Sequence, residues 1–156
     1  MKLNIGSRNV RHINKNNSQT KNAFIRYFMQ QRLDLLSLQD TVIQEIVSLQ
    51  FLEHQCCAYS RVWSKYCGFL NFSPLVRFDT LFIACDGRAI CVQIRHGHNS
   101  FTLCNIFNIY APANYHDLFQ FFKHQIMPLI TYPSLATQLD QTFIMGGGLQ
   151  LFLFTK

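Results

Sequence analysis

The first forty residues carry the pattern that most restricts how this chain can fold. Residues Leu3 to Val10 alternate roughly between apolar and polar, as a half-buried strand does. A basic helix is predicted over residues 22–33, where the apolar residues share one stripe, and a short apolar strand follows from Asp34 to Asp40. A strand, a helix and a strand in this order predict a βαβ unit and a layered α/β fold, with neighbouring strand ends near Asn9 and Asp40.

The rest of the chain continues with strands and one more helix. The further predicted strands are apolar runs bounded by turn residues, and they cover residues 79–85, 88–95, 101–112 and 142–148. Asp86-Gly87 is a strong signal for a hairpin turn, and a helix is predicted from Tyr115 onward that Pro128 closes. No repeat or linker interrupts this pattern, so a single domain is predicted over residues 1–156.

The composition suits one globular intracellular domain. The chain has 156 residues, of which 49% are hydrophobic, and is therefore long enough to bury a core. Its longest apolar runs are well short of the ~18 residues that a membrane span needs. The six cysteines form no CxxC pair and follow no secretory leader. We therefore expect reduced thiols in an intracellular protein, with no distinction between nucleus and cytoplasm.

The positive charge is concentrated at the start of the chain. Residues 1–33 contain seven lysines and arginines and no acidic residue, whereas the remainder carries seven bases and eight acids. A basic segment of this kind attracts polyanions, of which nucleic acid is the commonest. The simpler interpretation is the solvated face of a basic helix, and the sequence does not decide between the two.

Four short stretches lie at predicted strand ends, and they read SRNVRHIN, LSLQDT, NIYAPAN and FIMGGGLQ. Their order, the α/β elements between them and their placement at strand ends resemble the endonuclease/exonuclease/phosphatase family, which has the fold of deoxyribonuclease I. They resemble in particular the endonuclease domains of non-LTR retrotransposons, where the runs read like NVRGL, LQET, NIYAPN and GGDFN. The resemblance implies an incomplete deoxyribonuclease I-like two-sheet α/β sandwich over residues 1–156 that lacks its C-terminal part.

The resemblance also implies a site for phosphodiester chemistry. Asn9 matches an asparagine that helps to place a metal ion and the phosphate, and Asp40 stands where the family has a glutamate that binds Mg²⁺. Tyr110 matches a tyrosine that contacts the scissile phosphate. Gly148 stands where the family has the aspartate that orients the attacking water, and Gln150 stands where an asparagine steadies the transition state. The expected catalytic residues are thus Asn9, Tyr110 and Gln150, and the expected Mg²⁺ ligands are Asp40 and Asn9.

The sequence departs from the family pattern in ways that lower the rate of hydrolysis expected at this site. Asp40 is one methylene shorter than glutamate, whereas Mg²⁺ requires oxygen ligands at about 2.0–2.1 Å in near-octahedral geometry. Gln150 displaces the amide group that an asparagine would present. Gly148 supplies no acid, and the family's closing Ser-Asp-His segment has no counterpart. A positioned general base contributes about 10²–10⁴-fold to the rate, so we expect hydrolysis to be impaired or lost.

Each of these residues also has a simpler structural interpretation. Asn9 alone is typical of a turn after a strand, Asp40 of a helix cap, and Tyr110 of a tyrosine packed at a strand end. His96 and His98 could share a metal ion, but a solvated turn is the better interpretation. The three glycines are not a phosphate-binding P-loop, because no Lys-Ser/Thr pair follows them.

The sequence therefore supports three interpretations of function. The first is a Mg²⁺-dependent phosphodiesterase, a DNA endonuclease of retroelement origin, that is catalytically impaired or inactive in this copy. The second is a non-catalytic module that binds DNA or another nucleic acid through its basic N-terminal segment. The third is a fragment without a selected function.

Overall fold

Nine strands in two mixed sheets make up most of the computed structural model, which describes residues 3–12, 18–43, 55–96, 102–128, 143–147 and 150–154. The first sheet contains β1 (Ile5–Asn9), β2 (Leu35–Gln39), β3 (Ser60–Trp63) and β4 (Cys67–Asn71). The second sheet contains β5 (Val76–Ile83), β6 (Ala89–His96), β7 (Thr102–Ile109), β8 (Phe143–Gly147) and β9 (Gln150–Phe154). The helices whose whole length lies in the described ranges are α1 (Ser18–Gln30) and α2 (Tyr115–Phe121), and α2 runs on into a π-helical turn, Phe122–Ile126.

The predicted βαβ unit lies at the edge of the first sheet. β1 and β2 pair in parallel, with Asn9 opposite Gln39, and α1 lies between them in the chain. The strand order is β1-β2-β4-β3, in which β4 is antiparallel to both of its neighbours. In the second sheet the order is β5-β6-β7-β8-β9, and β7 and β8 are its parallel pair. Each parallel pair brings two carboxyl strand ends to one edge of its sheet.

Alternate residues of β2 face different layers, which explains why all five of its residues are buried. Leu35 belongs to the core between the two sheets. Leu36 and Leu38 point the other way and form a second cluster with Ile25 and Phe28 of α1. The helix therefore covers the outer face of the first sheet.

The second sheet is covered in the same way by α2. Val92 and Ile106 face the core between the sheets, whereas Cys91 and Phe107 cluster with Phe121 of the helix. The result is a four-layer arrangement of α1, the first sheet, the second sheet and α2. No helix in the described part of the chain is long and apolar enough to cross a membrane.

A polar contact crosses the apolar layer between the two sheets. The buried side chain of Asn108 on β7 accepts a hydrogen bond from Nε2 of Gln39 at 2.7 Å. Its own Nδ2 donates to the main-chain oxygens of Leu38 and Gly68, both at 2.9 Å. These three bonds tie the end of β7 to the ends of β2 and β4, and we refer to them as the Asn108 tie.

The structure also contains elements that the sequence pattern does not predict. β3 and β4 lie in a stretch without clear alternation, because β4 is buried on both faces and so lacks polar positions at every second residue. The strand over 143–147 is followed by β9 and is not the last strand. The helix predicted from Tyr115 to its close at Pro128 changes at Phe122 from α-helical to π-helical geometry.

Gly68 lies where any side chain would overlap the ring of Trp63 on the neighbouring strand. Gly68→Ala is therefore expected to lower the free energy of unfolding by about 1–3 kcal/mol. It should also change the fluorescence of Trp63, the sole tryptophan of the chain. Urea denaturation followed by fluorescence measures both effects.

The matched control is Gly6→Ala on β1. Its added methyl would meet a terminal methyl of Leu33 at 2.6 Å, and that flexible group can rotate away. A loss of stability as large as that of Gly68→Ala would contradict the assigned packing around Trp63.

Candidate functional site

Four residues at the ends of β1 and β2 adopt left-handed backbone conformations. They are Arg11 (φ 47°), His12 (φ 67°), Asp40 (φ 57°) and Val42 (φ 45°). Such conformations cost on the order of 1–3 kcal/mol each and concentrate at functional sites. Here they are held by bonds between the two strand ends, from Val10 N to Gln39 O at 2.9 Å and from His12 N to Asp40 O at 2.8 Å.

Two of the predicted site residues lie at these adjacent strand ends. Asn9 is the exposed last residue of β1, and its Oδ1 accepts a hydrogen bond from the backbone N of Arg11 at 3.1 Å. Asp40 directly follows β2 and is half-buried. Among residues other than glycine, aspartate and asparagine tolerate a left-handed backbone best, so a short acid suits this turn better than a glutamate would.

Tyr110 reaches the same place from the second sheet. It directly follows β7, and its hydroxyl donates a hydrogen bond to the carboxylate of Asp40. Partial burial, the charge of Asp40 and this hydrogen bond together raise the pKa of Tyr110 above its ordinary value of 10.0, while the Arg88 guanidinium lowers it. Tyr110 is therefore a neutral hydrogen-bond donor at pH 7. The structure thus brings together Asp40 and Tyr110, which lie 70 positions apart in the sequence.

Two turns from different sheets pack against each other beside Tyr110. In the β5–β6 turn, the carbonyl oxygen of Gly87 accepts hydrogen bonds from Tyr66 N at 3.1 Å and from Ser64 Oγ at 2.7 Å. Gly87 has a φ of 72°, and a Cβ there would lie 2.8 Å from the Cβ of Lys65. Both the backbone conformation and the close approach therefore require glycine. Because Arg88 follows Gly87 in this turn, the packing of the two turns places Arg88 next to Tyr66.

The guanidinium of Arg88 lies against two tyrosine rings. Its Cζ is 4.5 Å from the ring centre of Tyr66 and 5.4 Å from that of Tyr110, and the two rings are 5.6 Å apart. Its Nη1 donates to the carbonyl oxygen of Tyr110 at 3.4 Å, and Asp86 Oδ2 lies 4.0 Å from its Nε. The ammonium group of Lys65 is 5.0 Å from the Tyr66 ring. We call Lys65, Tyr66, Arg88 and Tyr110 the basic-aromatic cluster.

The basic-aromatic cluster has the chemistry of a phosphate-binding site. The Arg88 side chain keeps 27% of its surface exposed, so a ligand can reach it. A guanidinium carries five N–H donors in a flat fork that matches two phosphate oxygens, and the tyrosine rings fix its plane. Arg11, exposed at the end of β1, adds positive charge on the side of Asn9. Cationic groups and a phenol donor therefore meet at one edge of the sandwich.

The oxygen ligands available to a divalent metal ion are few. Within the described ranges, no group of three or more His, Cys, Asp or Glu residues could hold a metal ion. Mg²⁺ commonly binds one or two carboxylates and completes its shell with water and substrate phosphate oxygens. Asp40 and the amide oxygen of Asn9 supply that minimal set, although they also accept bonds from Tyr110 and Arg11. This set fits a Mg²⁺ ion shared with a phosphate, but not an ion held by protein alone.

The remaining predicted residues lie at the edge of the described structure or outside it. The backbone of Gln150 begins β9 opposite Gly147, and Gly147 pairs with Ile109 on β7. Gln150 therefore begins its strand at the same edge of the second sheet as Tyr110. Two further positions named from the sequence lie outside the described residues, namely Gly148 and His98.

Three buried cysteines are unsuited to act as nucleophiles. Burial raises the pKa of Cys67 and of Cys91 to about 12, and that of Cys104 to about 11. They are therefore thiols at neutral pH, whereas nucleophilic attack needs the thiolate. The buried thiol of Cys67 donates a hydrogen bond to the carbonyl oxygen of Arg88 at 3.3 Å, so it contacts the basic-aromatic cluster from the core side. All six cysteines of the chain are free of disulfides.

The motifs in the sequence do not identify Lys65, Tyr66 or Arg88. These residues lie on two separate turns, and only the packing of one sheet on the other brings the turns together. The Asp86-Gly87 signal predicts where the chain reverses, but it carries no information about the turn on which it packs.

Solved structures with a similar fold identify the architecture. A D. rerio TDP2 humanized by 14 mutations superimposes with a TM-score of 0.65 at 17% identity. D. rerio TDP2 complexed with single strand DNA product gives 0.63 at 14%. The alignments cover 95% of this chain but only 63% and 61% of those chains. TDP2 from C. elegans gives 0.54 at 15%, covering 89% of this chain and 46% of that one.

TDP2 belongs to the endonuclease/exonuclease/phosphatase superfamily. The predicted fold, an incomplete deoxyribonuclease I-like two-sheet α/β sandwich, is confirmed. At these identities the likeness shows the fold alone. No model of a protein family matches the sequence, and no curated protein matches it.

The contact between Asp40 and Tyr110 can be tested by measuring the pKa of Tyr110. Asp40→Asn is expected to lower the pKa of Tyr110, because the substitution removes the negative charge that opposes ionisation. Arg88→Ala should raise that pKa further, because the guanidinium favours the phenolate. Titration of the Tyr110 ring signal by NMR, assigned with Tyr110→Phe, measures both shifts.

Asp34→Asn is the matched control for this titration. Asp34 precedes β2 at the opposite end of the strand, where its carboxylate accepts a hydrogen bond from Asn4 N. If Asp34→Asn moved the pKa of Tyr110 as far as Asp40→Asn does, the assigned contact would be wrong.

Proposed function

We propose that this chain binds a phosphodiester of DNA at the basic-aromatic cluster and that it hydrolyses the bond poorly or not at all. In this proposal it descends from Mg²⁺-dependent phosphodiesterases of retroelement origin. The observation that carries the proposal is the position of Arg88, held between two tyrosine rings at the point where Asp40 and Tyr110 meet. A cation and a phenol donor, beside a carboxylate that would hold Mg²⁺, suit a phosphate better than an uncharged ligand.

The binding step uses residues that the structure describes. Arg88 would contact the non-bridging phosphate oxygens, and the single O–H of Tyr110 would turn from Asp40 to a phosphate oxygen once that carboxylate holds Mg²⁺. Asp40 and Asn9 would hold Mg²⁺, which when bound supplies positive charge to the phosphate. Arg11 and Lys65 would attract the neighbouring phosphates of the strand through their exposed positive charges.

The cleavage step lacks its central group in this proposal. Gly148 has no side chain with which to orient or deprotonate a water molecule, and Gln150 is longer than the asparagine of the related endonucleases. Groups that act as one catalytic unit lose most of their effect when one member is removed. Binding and hydrolysis are therefore separable here, because the phosphate contacts come from other residues than the missing base.

The alternative function is a non-catalytic nucleic-acid module that binds through the basic N-terminal segment alone. One observation favours a contribution from this segment, since Arg11 is exposed at the end of β1 beside Asn9. Arg26 lies instead on the exposed side of α1, the helix that covers the outer face of the first sheet. DNA as the partner is supported by the D. rerio TDP2 structure, which is a complex with single strand DNA product.

Binding is tested by gel retention and fluorescence anisotropy with a labelled DNA oligonucleotide over a range of salt concentrations. We expect affinity to fall steeply with salt, because each neutralised phosphate releases counterions. Arg88→Ala should weaken binding about tenfold, which corresponds to about 1.4 kcal/mol. Arg77→Ala on β5 is the matched control, because Arg77 is an exposed arginine outside the cluster. Equal effects of the two variants would contradict a site at Arg88, and a larger effect of Arg26→Ala would favour the N-terminal segment alone.

Cleavage is tested with supercoiled plasmid and Mg²⁺ on the same protein samples. We expect retention of DNA without nicking by the native chain, and we expect Gly148→Asp to restore any activity that the remaining site can support. Asp40→Ala is the control for the metal site. Nicking by the native chain that is absent from Asp40→Ala would refute the proposed loss of hydrolysis, while the binding site would stand.

A further inference from the structure

An exposed stripe of aromatic and basic side chains runs along α2 and the π-helical turn. Tyr115 is 82% exposed and Phe119 is 55% exposed, and they lie four residues apart on the same side of the helix. The ammonium group of Lys123 lies 5.8 Å from the ring centre of Phe119. We call Tyr115, Phe119 and Lys123 the α2 stripe. Large aromatic side chains exposed in a row call for an explanation, because scattered single ones are normal but contiguous ones mark interaction sites.

The opposite side of the same helix is fully used by the fold. Phe121 and Ile126 are buried in the cluster beneath the second sheet. Gln125 donates from its Nε2 to Asp86 Oδ2 at 3.1 Å, and Asp86 also accepts from the backbone N of Arg88 at 3.0 Å. The helix is thus fastened to the turn that carries Arg88. The element that carries the α2 stripe is therefore fixed relative to Arg88, and the exposed side chains of Tyr115 and Phe119 are directed away from the core.

We infer that the α2 stripe binds unpaired bases of a single DNA strand whose phosphate occupies the basic-aromatic cluster. This inference rests on the proposed function and adds the form of the nucleic acid to it. The stripe begins at Tyr115, five residues after Tyr110 and directly after the N-cap Asn114, so a strand leaving the phosphate site along the helix meets Tyr115 first. Tyrosine and phenylalanine rings stack on any base, which makes such a platform tolerant of sequence.

The charges along the helix favour nucleic acid over an acidic or apolar protein surface. From Tyr115 to Ile126 the segment carries one lysine and two histidines against a single aspartate, Asp117. The carboxylate of Asp117 lies 3.6 Å from Nδ1 of its neighbour His116. Lys123 extends over Phe119, where a cation can reach the phosphate that follows a stacked base. Only a strand with unpaired bases offers both a ring face and a phosphate at this spacing, because bases within a duplex are already stacked.

The test compares single-stranded and duplex DNA of the same sequence, about ten nucleotides long, by fluorescence anisotropy. Tyr115→Ala and Phe119→Ala are each expected to weaken binding of the single strand about tenfold and to leave binding of the duplex nearly unchanged. Lys123→Gln should reduce the slope of log affinity against log salt by about one phosphate contact. The exposed side chains leave the core intact, and circular dichroism verifies that each variant is folded.

The matched control is Tyr59→Ala. Tyr59 is 66% exposed and lies at the start of β3, at the opposite end of that strand from the turn with Lys65. Its replacement is expected to leave DNA binding unchanged. An equal loss in Tyr59→Ala would mean that exposed aromatic residues act non-specifically, and it would overturn the inference.

Three further results would overturn the inference and can be told apart. If Arg88→Ala weakens binding but Tyr115→Ala and Phe119→Ala do not, the proposed function stands and the α2 stripe has no part in it. If Phe119→Ala changes the sedimentation coefficient from that of a dimer to that of a monomer without changing DNA affinity, the stripe seats a second copy of the chain. If the native chain binds neither form of DNA, the proposed function fails together with the inference.

Discussion

The hydrogen bonds of Asn108 to Gln39, Leu38 and Gly68 are the contact on which the candidate site depends. They cross a layer that is otherwise packed with apolar side chains, and a buried amide in such a layer is favourable only when its polar atoms are paired. The apolar residues would tolerate small shifts of one sheet over the other, whereas three directional bonds tolerate very little. The tie therefore fixes how the end of β7 meets the end of β2, and with it the meeting of Tyr110 and Asp40.

The proposed function assigns binding and catalysis to different parts of this edge. The proposed phosphate contacts come from the basic-aromatic cluster, which is built from two turns and the residue after β7, and all four of its residues lie in the described structure. The resemblance to the endonucleases assigns water activation to the position of Gly148, where the sequence has glycine. The left-handed residues at the ends of β1 and β2 keep the binding side of the edge in a costly but well-bonded conformation. A fold of this kind can lose hydrolysis while it keeps a phosphate site.

Much of the architecture follows from the sequence, and the reasons for the exceptions are physical. The βαβ opening, the hairpin at Asp86-Gly87 and the parallel strand near the three glycines leave local patterns of periodicity and turn residues. β4 leaves no such pattern because both of its faces are buried, and Arg88 leaves none because its role arises from the packing of two distant turns. Asn9, Asp40 and Tyr110 were accessible only through family motifs, and the structure shows the contact of the last two. The side-chain role of Gln150 remains a prediction.

A double-mutant cycle on Gln39 and Asn108 tests the central claim most directly. The free energies of unfolding of Gln39→Ala, Asn108→Ala and the double variant are measured by urea denaturation, and the pKa of Tyr110 is measured in each. We predict a coupling energy of about 1 kcal/mol or more, together with a fall in the pKa of Tyr110 in every variant as its hydroxyl moves away from Asp40. Additive effects on stability with an unchanged Tyr110 pKa would contradict the claim that this tie assembles the site.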